Sequence, residues 1–526
     1  MNTATKIAPA REAPERTFDR PARRARTAVV IGAGFGGLAL AIRLQSAGVQ
    51  TTIVEARDKP GGRAYVWEKD GHVFDAGPTV ITDPDCLQRL WKLSGHDMAE
   101  DVDLVPVTPF YRLSWPDGTL FDYTNDDDHL KAQMDALSPG DWDGYQRFLA
   151  YSAGVFNEGY VKLGTKAFES IGDMLKAAPA LAKYQAWRSV YSMVSGFVKD
   201  EHLRQALSFH TLLVGGNPMT CSSIYALIHK LERDGGVWFA LGGTNKLIAG
   251  MVRHFERIGG TIRLDDPVIA IEVEGERARA VRTRSGWRQE ADQVASNGDI
   301  VHSYGLIEGS NRGPAQVKAI KRKSFSPSLF VLHFGLEGTF DIPHHTILFG
   351  PRYQGLVGDI YKGGKLATDP ALYLHHPTIT DPTMAPEGCS TFYALAPVPH
   401  MGKAGVDWET EGDRYKEVIL DTLAERLIPD IRERLRVCFH YTPKDFNADL
   451  SAHLFRRRRH PPGRGYPRSC RKRGGDGGAD AGVITADERV RLVQGALESI
   501  SGGSKSFRFA SQLFDLPTRE RSWLLY

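Results

Sequence analysis

The sequence predicts an α/β protein with more than one domain, and three observations support this fold class. First, the chain has 526 residues with 42% hydrophobic and 25% charged side chains, which is globular composition but too long for one simple core. Second, residues 27–55 have the strand, glycine turn, helix and strand pattern that opens a βαβ unit. Third, strand-rich and helical stretches alternate, so we expect a Rossmann-like domain interleaved with a mixed sheet and helical domain.

Residue spacing defines the elements of the first unit. The β-branched run Thr27–Ile31 predicts a strand. Leu38, Ala41 and Leu44 recur at helical spacing and predict a helix over 38–47. A second strand is predicted over 51–54, so that Glu55 follows its carboxyl end.

Later elements are predicted from coarser patterns. The predictions are strands around a Pro-Asp-Gly turn in 105–123, mainly helix in 126–234, strands in 261–300, a sheet with Pro/Gly turns in 326–400 and an amphipathic helix over 414–435.

The net charge of +3 hides a strong asymmetry. Residues 1–26 carry seven basic and three acidic side chains and predict a disordered leader. Residues 455–473 carry nine basic side chains and no acidic ones, while 27–454 have a net charge of −9. The cysteines form no CxxC pair, so neither a metal site nor a disulfide framework is expected, and no apolar run reaches the roughly 18 residues of a membrane span.

The glycine turn after the first strand is a GxGxxG motif. Gly32 allows the tight turn, Gly34 lets backbone approach a pyrophosphate, and Gly37 allows close packing of helix on strand. The helix N-terminus then offers N–H groups to phosphates. Glu55 follows where an acid can accept hydrogen bonds from a ribose, so we predict a site for an ADP-containing dinucleotide.

The following segment favours flavin over nicotinamide. The pattern E-A-R-x-x-x-G-G-R-A over 55–64, with FDAGPT over 74–79, resembles flavoproteins of the amine oxidase and carotenoid desaturase superfamily, the GR2 type. The resemblance implies FAD as cofactor. The predicted FAD-binding residues are Gly32, Gly34, Gly36, Gly37, Glu55, Ala56, Gly62 and Arg63.

Residues 27–454 resemble bacterial-type phytoene desaturases throughout. The most specific segments are FHTLLVGGNP (209–218), SSIYALIHKLERDGGVWFALGGTNKL (222–247) and SPSLFVLHFGL (326–336). The family removes hydrogens from phytoene, through phytofluene, zeta-carotene and neurosporene, to lycopene. Each step moves a hydride equivalent to FAD while a proton leaves the neighbouring carbon.

The resemblance implies an apolar tunnel for a C40 chain. The candidate walls are Phe209, Tyr225, Trp238 and Phe239, although for any single ring core packing is the better interpretation. No catalytic residue is predicted. His210 and His229 are candidate polar groups near the flavin, with structural roles as the alternative.

The resemblance also implies partners and a location. The partners are a hydrophobic C40 carotenoid, a membrane surface and other enzymes of the pathway, with no nucleic acid, and the location is cytoplasmic, peripheral to the cell membrane. Residues 167–198 carry a Leu/Met/Trp face with lysines and could lie in the membrane interface or form a buried helix pair.

Three alternatives stay open. A three-step desaturase would stop at neurosporene, and another carotenoid flavoenzyme could be a ketolase or isomerase. A non-catalytic prenyl-lipid-binding relative would share the fold.

The predicted domain organisation interleaves two domains. FAD-binding parts are expected at 27–105 and 235–300, and substrate or membrane-associating parts at 106–234 and 301–445. A basic low-complexity tract occupies 455–482, and 483–526 is a fragment in which 492–526 resemble the start of a phytoene synthase.

The chain departs from the family after Leu454, where a glycine-rich flavin motif is missing. Synonymous codons can be chosen for 455–480 that, read one base later, encode FVGAGTHPGAGIPG and a following helix. We therefore hypothesise a frameshift and a deletion near Leu454, testable by sequencing the gene. The basic run would then be an out-of-frame product.

Overall fold

The computed structural model describes residues 26–164, 171–275, 277–323 and 325–451. The predicted leader apart from its last residue, the basic tract at 455–482 and the fragment at 483–526 lie outside the described residues. Among the helices that are described, none combines the length and the apolar composition that crossing a bilayer requires.

The strands are β1 Thr27–Ile31, β2 Gln50–Val54, β3 Val66–Lys69, β4 His72–Asp75, β5 Leu104–Pro106, β6 Tyr111–Ser114, β7 Leu120–Tyr123, β8 Trp238–Ala240, β9 Thr261–Arg263, β10 Val268–Glu274, β11 Arg277–Thr283, β12 Arg288–Glu290, β13 Gln293–Ser296, β14 Ile307–Glu308, β15 Ser328–Glu337, β16 His345–Leu348, β17 Leu372–His375, β18 Cys389–Val398 and β19 Leu435–Tyr441.

The α-helices are α1 Phe35–Ser46, α2 Pro84–Lys92, α3 Asp127–Leu137, α4 Asp141–Phe156, α5 Ile171–Lys183, α6 Val190–Val194, α7 Glu201–Ser208, α8 His210–Leu213, α9 Leu227–Gly235, α10 Thr244–Arg257, α11 Ile300–Gly305, α12 Arg312–Ile320, α13 Tyr353–Gly358, α14 Met401–Ala404, α15 Trp408–Arg426, α16 Ile431–Arg434 and α17 Pro443–Ser451.

A four-stranded parallel sheet in the order β13-β1-β2-β9 carries the predicted βαβ unit. Helices α1 and α10 cover one face, where Leu38 and Phe255 are fully buried in one apolar cluster. The antiparallel β10–β11 pair covers the other face, where Val29 packs in a cluster with Val281. The sheet is thus buried on both sides, as parallel sheets are.

A seven-stranded sheet in the order β19-β15-β18-β17-β16-β6-β7 forms the second core. Every pair in it is antiparallel except β16 with β6. Side chains alternate along β15: Phe330 and Phe334 pack towards α15 in an apolar cluster, while His333 points to the other face. This sheet joins strands from 111–123 to strands from 328–441, so the α/β fold class with interleaved parts is confirmed.

One helix prediction was wrong in extent. The helix predicted over 414–435 is broken into α15 and α16, because Pro429 lies between them and a proline cannot continue the helical hydrogen bonding. The stretch 167–198 contains α5 and α6 with turns between them, and 165–170 lie outside the described residues.

Candidate functional site

The GxGxxG loop connects β1 to α1 with almost no spare volume. Gly32 has φ +95°, and its N–H donates to the Val54 carbonyl at 2.8 Å. A Cβ at Gly37 would lie 2.0 Å from the Gly32 carbonyl oxygen. Only glycine therefore permits this turn and this helix packing.

Asn297 closes the loop from the neighbouring strand. It follows β13, and its N–H donates to the Ile31 carbonyl at 2.8 Å. A Cβ on Gly36 would lie 2.6 Å from Asn297 Oδ1, and one on Gly34 3.0 Å from Asn297 Nδ2. An amide side chain thus packs directly on the bare backbone of the loop.

Glu55 lies at the carboxyl end of β2, as predicted, and is 6% exposed. Its carboxylate accepts hydrogen bonds from Ala33 N–H at 2.7 Å and Arg57 N–H at 3.0 Å. A carboxylate has about four acceptor positions, so two remain for ribose hydroxyls. Ala56 follows Glu55, half-buried.

The GGRA segment packs on the same loop. Gly61 N–H donates to the Ala33 carbonyl at 2.9 Å, and a Cβ on Gly62 would lie 3.3 Å from Gly34 Cα. A Cβ on Gly77 would lie 2.0 Å from the Arg63 carbonyl oxygen, so the backbone of Arg63 packs directly on this glycine. The structure therefore brings all eight predicted FAD-binding residues into one region.

Asp75 belongs to the FDAGPT segment but was not among the predicted FAD-binding residues. It ends β4 and is buried, and its Oδ1 accepts from Thr244 N–H at 2.9 Å at the start of α10. Burial raises the pKa of Asp75 to about 7, against the lowering effect of these backbone hydrogen bonds. The turn before α10 is thus held by a buried carboxyl group.

A row of rings crosses the seven-stranded sheet on the face opposite α15. Neighbouring strands pair these residues directly, so the rings stand side by side and touch across the sheet. We call this row the ring ladder; in sheet order it consists of Phe439, His333, Tyr393, His375, His345, Tyr111 and Tyr123.

The ring ladder is the surface on which the segment after β4 docks. Thr79 Oγ1 lies 2.9 Å from the hydroxyl of Tyr373 and 2.8 Å from that of Tyr393. Tyr393 also donates to the Gly77 carbonyl at 3.3 Å, and Phe74 meets His333 edge-on at 5.7 Å. The FDAGPT segment therefore joins the two cores.

His210 and His229 lie at the end of the ladder near β6 and β7. His210 Nε2 lies 2.9 Å from Glu232 Oε2, and the other carboxylate oxygen accepts from the Tyr111 hydroxyl at 2.9 Å. His229 Nδ1 lies 3.1 Å from the Tyr123 hydroxyl, and burial lowers its pKa well below the usual value. Both histidines belong to a buried polar cluster inside an aromatic core.

The four candidate tunnel walls differ in burial. Phe209 and Phe239 are fully buried and pack beside the ladder, against Tyr111 at 5.5 Å and His344 at 4.5 Å. Trp238 is half-buried and donates to the Gly235 carbonyl at 2.7 Å, and Tyr225 is also half-buried.

The residues present fit the ADP half of FAD. The loop leaves no room for a Cβ on Gly34, Gly36 or Gly37, the N-terminus of α1 has no side-chain cap, and Glu55 has acceptor positions left. Backbone N–H groups at a helix start bind phosphate oxygens, and the acid suits a ribose.

Comparisons with known proteins agree with this site. The model of the flavin containing amine oxidoreductase family matches residues 35–499. A lycopene-forming phytoene desaturase of Paracoccus sp. (strain N81106 / MBIC 01143) is 60% identical over 82% of this chain and 86% of its own. One of Pseudescherichia vulneris is 54% identical over 81% and 87%. A neurosporene-forming phytoene desaturase of Cereibacter sphaeroides is 43% identical over 81% and 83%.

Solved structures show the same fold at low identity. Cyclohexylamine oxidase of Brevibacterium oxydans superposes with a TM-score of 0.51 at 17% identity, covering 82% of this chain and 90% of that one. Together with the family match, this confirms the flavoprotein fold and FAD as the cofactor. The chain belongs to the flavin-containing amine oxidoreductase family and, within it, to the phytoene desaturases.

Proposed function

We propose that this chain is an FAD-dependent desaturase that converts 15-cis-phytoene, through phytofluene, zeta-carotene and neurosporene, to all-trans-lycopene. The observation that carries the proposal is the order of identities among relatives. Lycopene-forming enzymes are 52–60% identical to this chain, whereas a neurosporene-forming one is 43% identical.

The chain's own residues would bind and orient the reactants. The glycine loop and Glu55 hold the dinucleotide, and Asn297 fixes the loop. FAD, when bound, supplies the acceptor of the hydride equivalent, and the apolar core beside the ring ladder supplies a water-poor surface for a hydrocarbon chain. Orientation of the substrate is the protein's main contribution, because a hydrocarbon has no polar group to recognise.

Product analysis tests the number of steps. Expression of the enzyme in cells that make phytoene, followed by chromatography of the pigments, is expected to give lycopene. Accumulation of neurosporene would instead support a three-step enzyme, and an oxygenated or merely isomerised product would support a ketolase or an isomerase.

Bound flavin distinguishes an enzyme from a non-catalytic lipid-binding relative. The purified protein is expected to show flavin absorbance near one FAD per chain. A protein that binds prenyl lipids without flavin would contradict the proposal.

We also infer that the enzyme is peripheral to the cell membrane, on its cytoplasmic side, beside other carotenoid enzymes. Among the exposed large apolar side chains of the described residues, the three most exposed are Val161, Leu175 and Trp187, at 59%, 67% and 63%. All three lie within residues 161–187, a segment that also carries Lys162 and Lys183. Apolar groups flanked by cations suit a bilayer interface with anionic lipids.

Vesicle sedimentation tests the membrane proposal. The double variant Leu175→Ser/Trp187→Ser is expected to partition about tenfold less to anionic vesicles, since two apolar contacts are lost. The matched control Leu120→Ser/Leu264→Ser changes two exposed leucines elsewhere, at 53% and 41%, and is expected to bind as the parent does. Equal loss in both variants would contradict the assignment of this stretch.

A further inference from the structure

Three histidine rings converge where β16 begins and β17 ends. His344 and His345 come from one strand start and His375 from the neighbouring strand end. One ring nitrogen from each lies within 4.8 Å of the other two, and the Nε2 atoms of His344 and His375 are 3.0 Å apart. All three side chains are buried, with at most 3% exposed.

Two of these rings are oriented by a second hydrogen bond. His344 Nδ1 lies 2.6 Å from Thr380 Oγ1, and His345 Nδ1 lies 2.8 Å from the Tyr373 hydroxyl. His344 Nε2 lies at hydrogen-bond distance from His375 Nε2, whereas His345 Nε2 is buried with no hydrogen-bond partner among the described residues. Histidines that bind metals characteristically hydrogen-bond through their second nitrogen, as these two rings do through Nδ1.

The chemistry of the donor set selects a class of ion. All three donors are imidazole nitrogens, and the neutral imidazole is the commonest metal ligand in proteins. Imidazole nitrogens suit zinc and its neighbours, whereas calcium and magnesium prefer oxygen.

The distances suit such an ion after a small movement. Zinc holds nitrogens at about 2.0–2.1 Å, so tetrahedral ligands lie about 3.3 Å from one another. The pair His344 and His375 is near that separation already, and the His345 nitrogen, within 4.8 Å of both, would move closer on binding.

We propose that His344, His345 and His375 form a binding site for a divalent transition-metal ion of the Zn²⁺ class. The ion would tie β16 to β17 beneath Tyr373, whose hydroxyl meets Thr79. The site would thus brace the sheet where the FDAGPT segment docks. No sequence motif indicates this site, because its histidines come from two strands about thirty residues apart in the chain.

Metal analysis of the full-length flavoprotein tests the proposal, using protein purified without a histidine tag. Loading with Zn²⁺, or with Co²⁺ as an absorbing probe, is expected to leave about one ion per chain after desalting. His345→Gln and His375→Gln are each expected to lower occupancy about tenfold or more. The matched control His376→Gln changes a buried histidine whose Nδ1 meets the Ile342 carbonyl at 2.8 Å and which lies outside the cluster; it is expected to keep the ion.

Thr380→Val keeps the proposal testable if the histidine variants fail to fold. It leaves all three ligands in place but removes the partner of His344 Nδ1, and it is expected to weaken Zn²⁺ binding about 10- to 100-fold. The proposal is overturned if the folded parent retains neither ion. It is equally overturned if His345→Gln and His375→Gln hold as much metal as the parent, or if Thr380→Val leaves the affinity unchanged.

Discussion

The space around each glycine decides whether an added Cβ atom is tolerated. Gly37 and Gly305 both belong to helices, yet a Cβ on Gly37 would lie 2.0 Å from a backbone oxygen, whereas one on Gly305 would meet nothing within 4 Å. Backbone cannot move aside as a flexible side chain can, so the two positions should respond oppositely to the same substitution.

Gly37→Ala is expected to reduce FAD retention at least about tenfold and to cost about 1–3 kcal/mol in the free energy of unfolding, because α1 must shift away from β1. Gly305→Ala is the matched control and should be neutral or stabilising by up to about 1 kcal/mol. Flavin absorbance per chain and denaturant unfolding measure both effects. Normal flavin content in Gly37→Ala would contradict the packing argument.

Asp75 predicts a dependence of stability on pH. Its carboxyl pKa is raised from 3.8 to about 7 by burial, so the folded protein holds this proton after the unfolded chain has lost it. The contribution of this carboxyl group to the free energy of unfolding is therefore fully present below about pH 4. It is lost as the pH rises to about 7, by at most about 1.4 kcal/mol per pH unit.

Asp75→Asn is expected to remove this dependence of the free energy of unfolding on pH. The free energy of unfolding of the variant relative to the parent is expected to increase between pH 4 and 7 and then to level off, measured by urea unfolding at a series of pH values. Asp413→Asn, an exposed acid on α15, is the control. A difference that stays constant from pH 4 to 8 would show that Asp75 does not titrate in this range.

Among elements, the decisive contact is the docking of the segment after β4 on the seven-stranded sheet. β18 provides Tyr393, whose hydroxyl reaches Thr79 and the Gly77 carbonyl. α15 provides another buried tyrosine, Tyr415, whose hydroxyl has no hydrogen-bond partner in the described part of the chain. Comparing the removal of the Tyr393 hydroxyl with the removal of the Tyr415 hydroxyl therefore isolates what the docking hydrogen bonds contribute to the free energy of unfolding.

Tyr393→Phe is expected to lower the free energy of unfolding by about 1–2 kcal/mol, since it removes the hydrogen bonds of one hydroxyl and leaves the ring in place. Tyr415→Phe should be neutral or slightly stabilising, because an unpaired buried hydroxyl is removed. Chemical denaturation of both variants checks this. Equal losses would mean that the hydroxyl contacts of Tyr393 contribute nothing specific.

At the scale of the whole molecule, both cores are assembled from distant parts of the chain. The parallel sheet takes strands from 27–54, 261–263 and 293–296, and the seven-stranded sheet takes strands from 111–123 and 328–441. Neither core can form until most of residues 27–441 have been made. The tract after Leu454 therefore follows every strand of these two sheets that the structure describes.

The frame hypothesis makes a prediction for the whole chain. A version in which residues from 455 onward carry FVGAGTHPGAGIPG and the following helix is expected to bind more FAD and to give more lycopene than the printed chain, because it restores a glycine-rich flavin contact of the family. Pigment extraction from phytoene-producing cells and flavin absorbance compare the two. Equal flavin and lycopene from both chains would contradict the hypothesis.

Local pattern accounts for much of the site. The strand, the glycines and Glu55 are close together in sequence, so spacing alone predicted that Gly32 begins the turn after β1, that Gly37 lies in α1 and that Glu55 follows β2. Asp75 and Asn297 were not assigned as site residues, because the residues they contact are 169 and 261 positions away in the chain.

The sequence by itself determined the α/β class, the dinucleotide loop, FAD as cofactor and the desaturase family, because these depend on short-range spacing and on residue identity. Only the tertiary structure decided that seven rings form a ladder and that three histidines meet, because cross-strand register pairs residues whose separation in the chain carries no signal. The packing of α8 and α9 against β6 and β7 places His210 and His229, the candidate polar groups near the flavin, in a buried cluster with Tyr111 and Glu232.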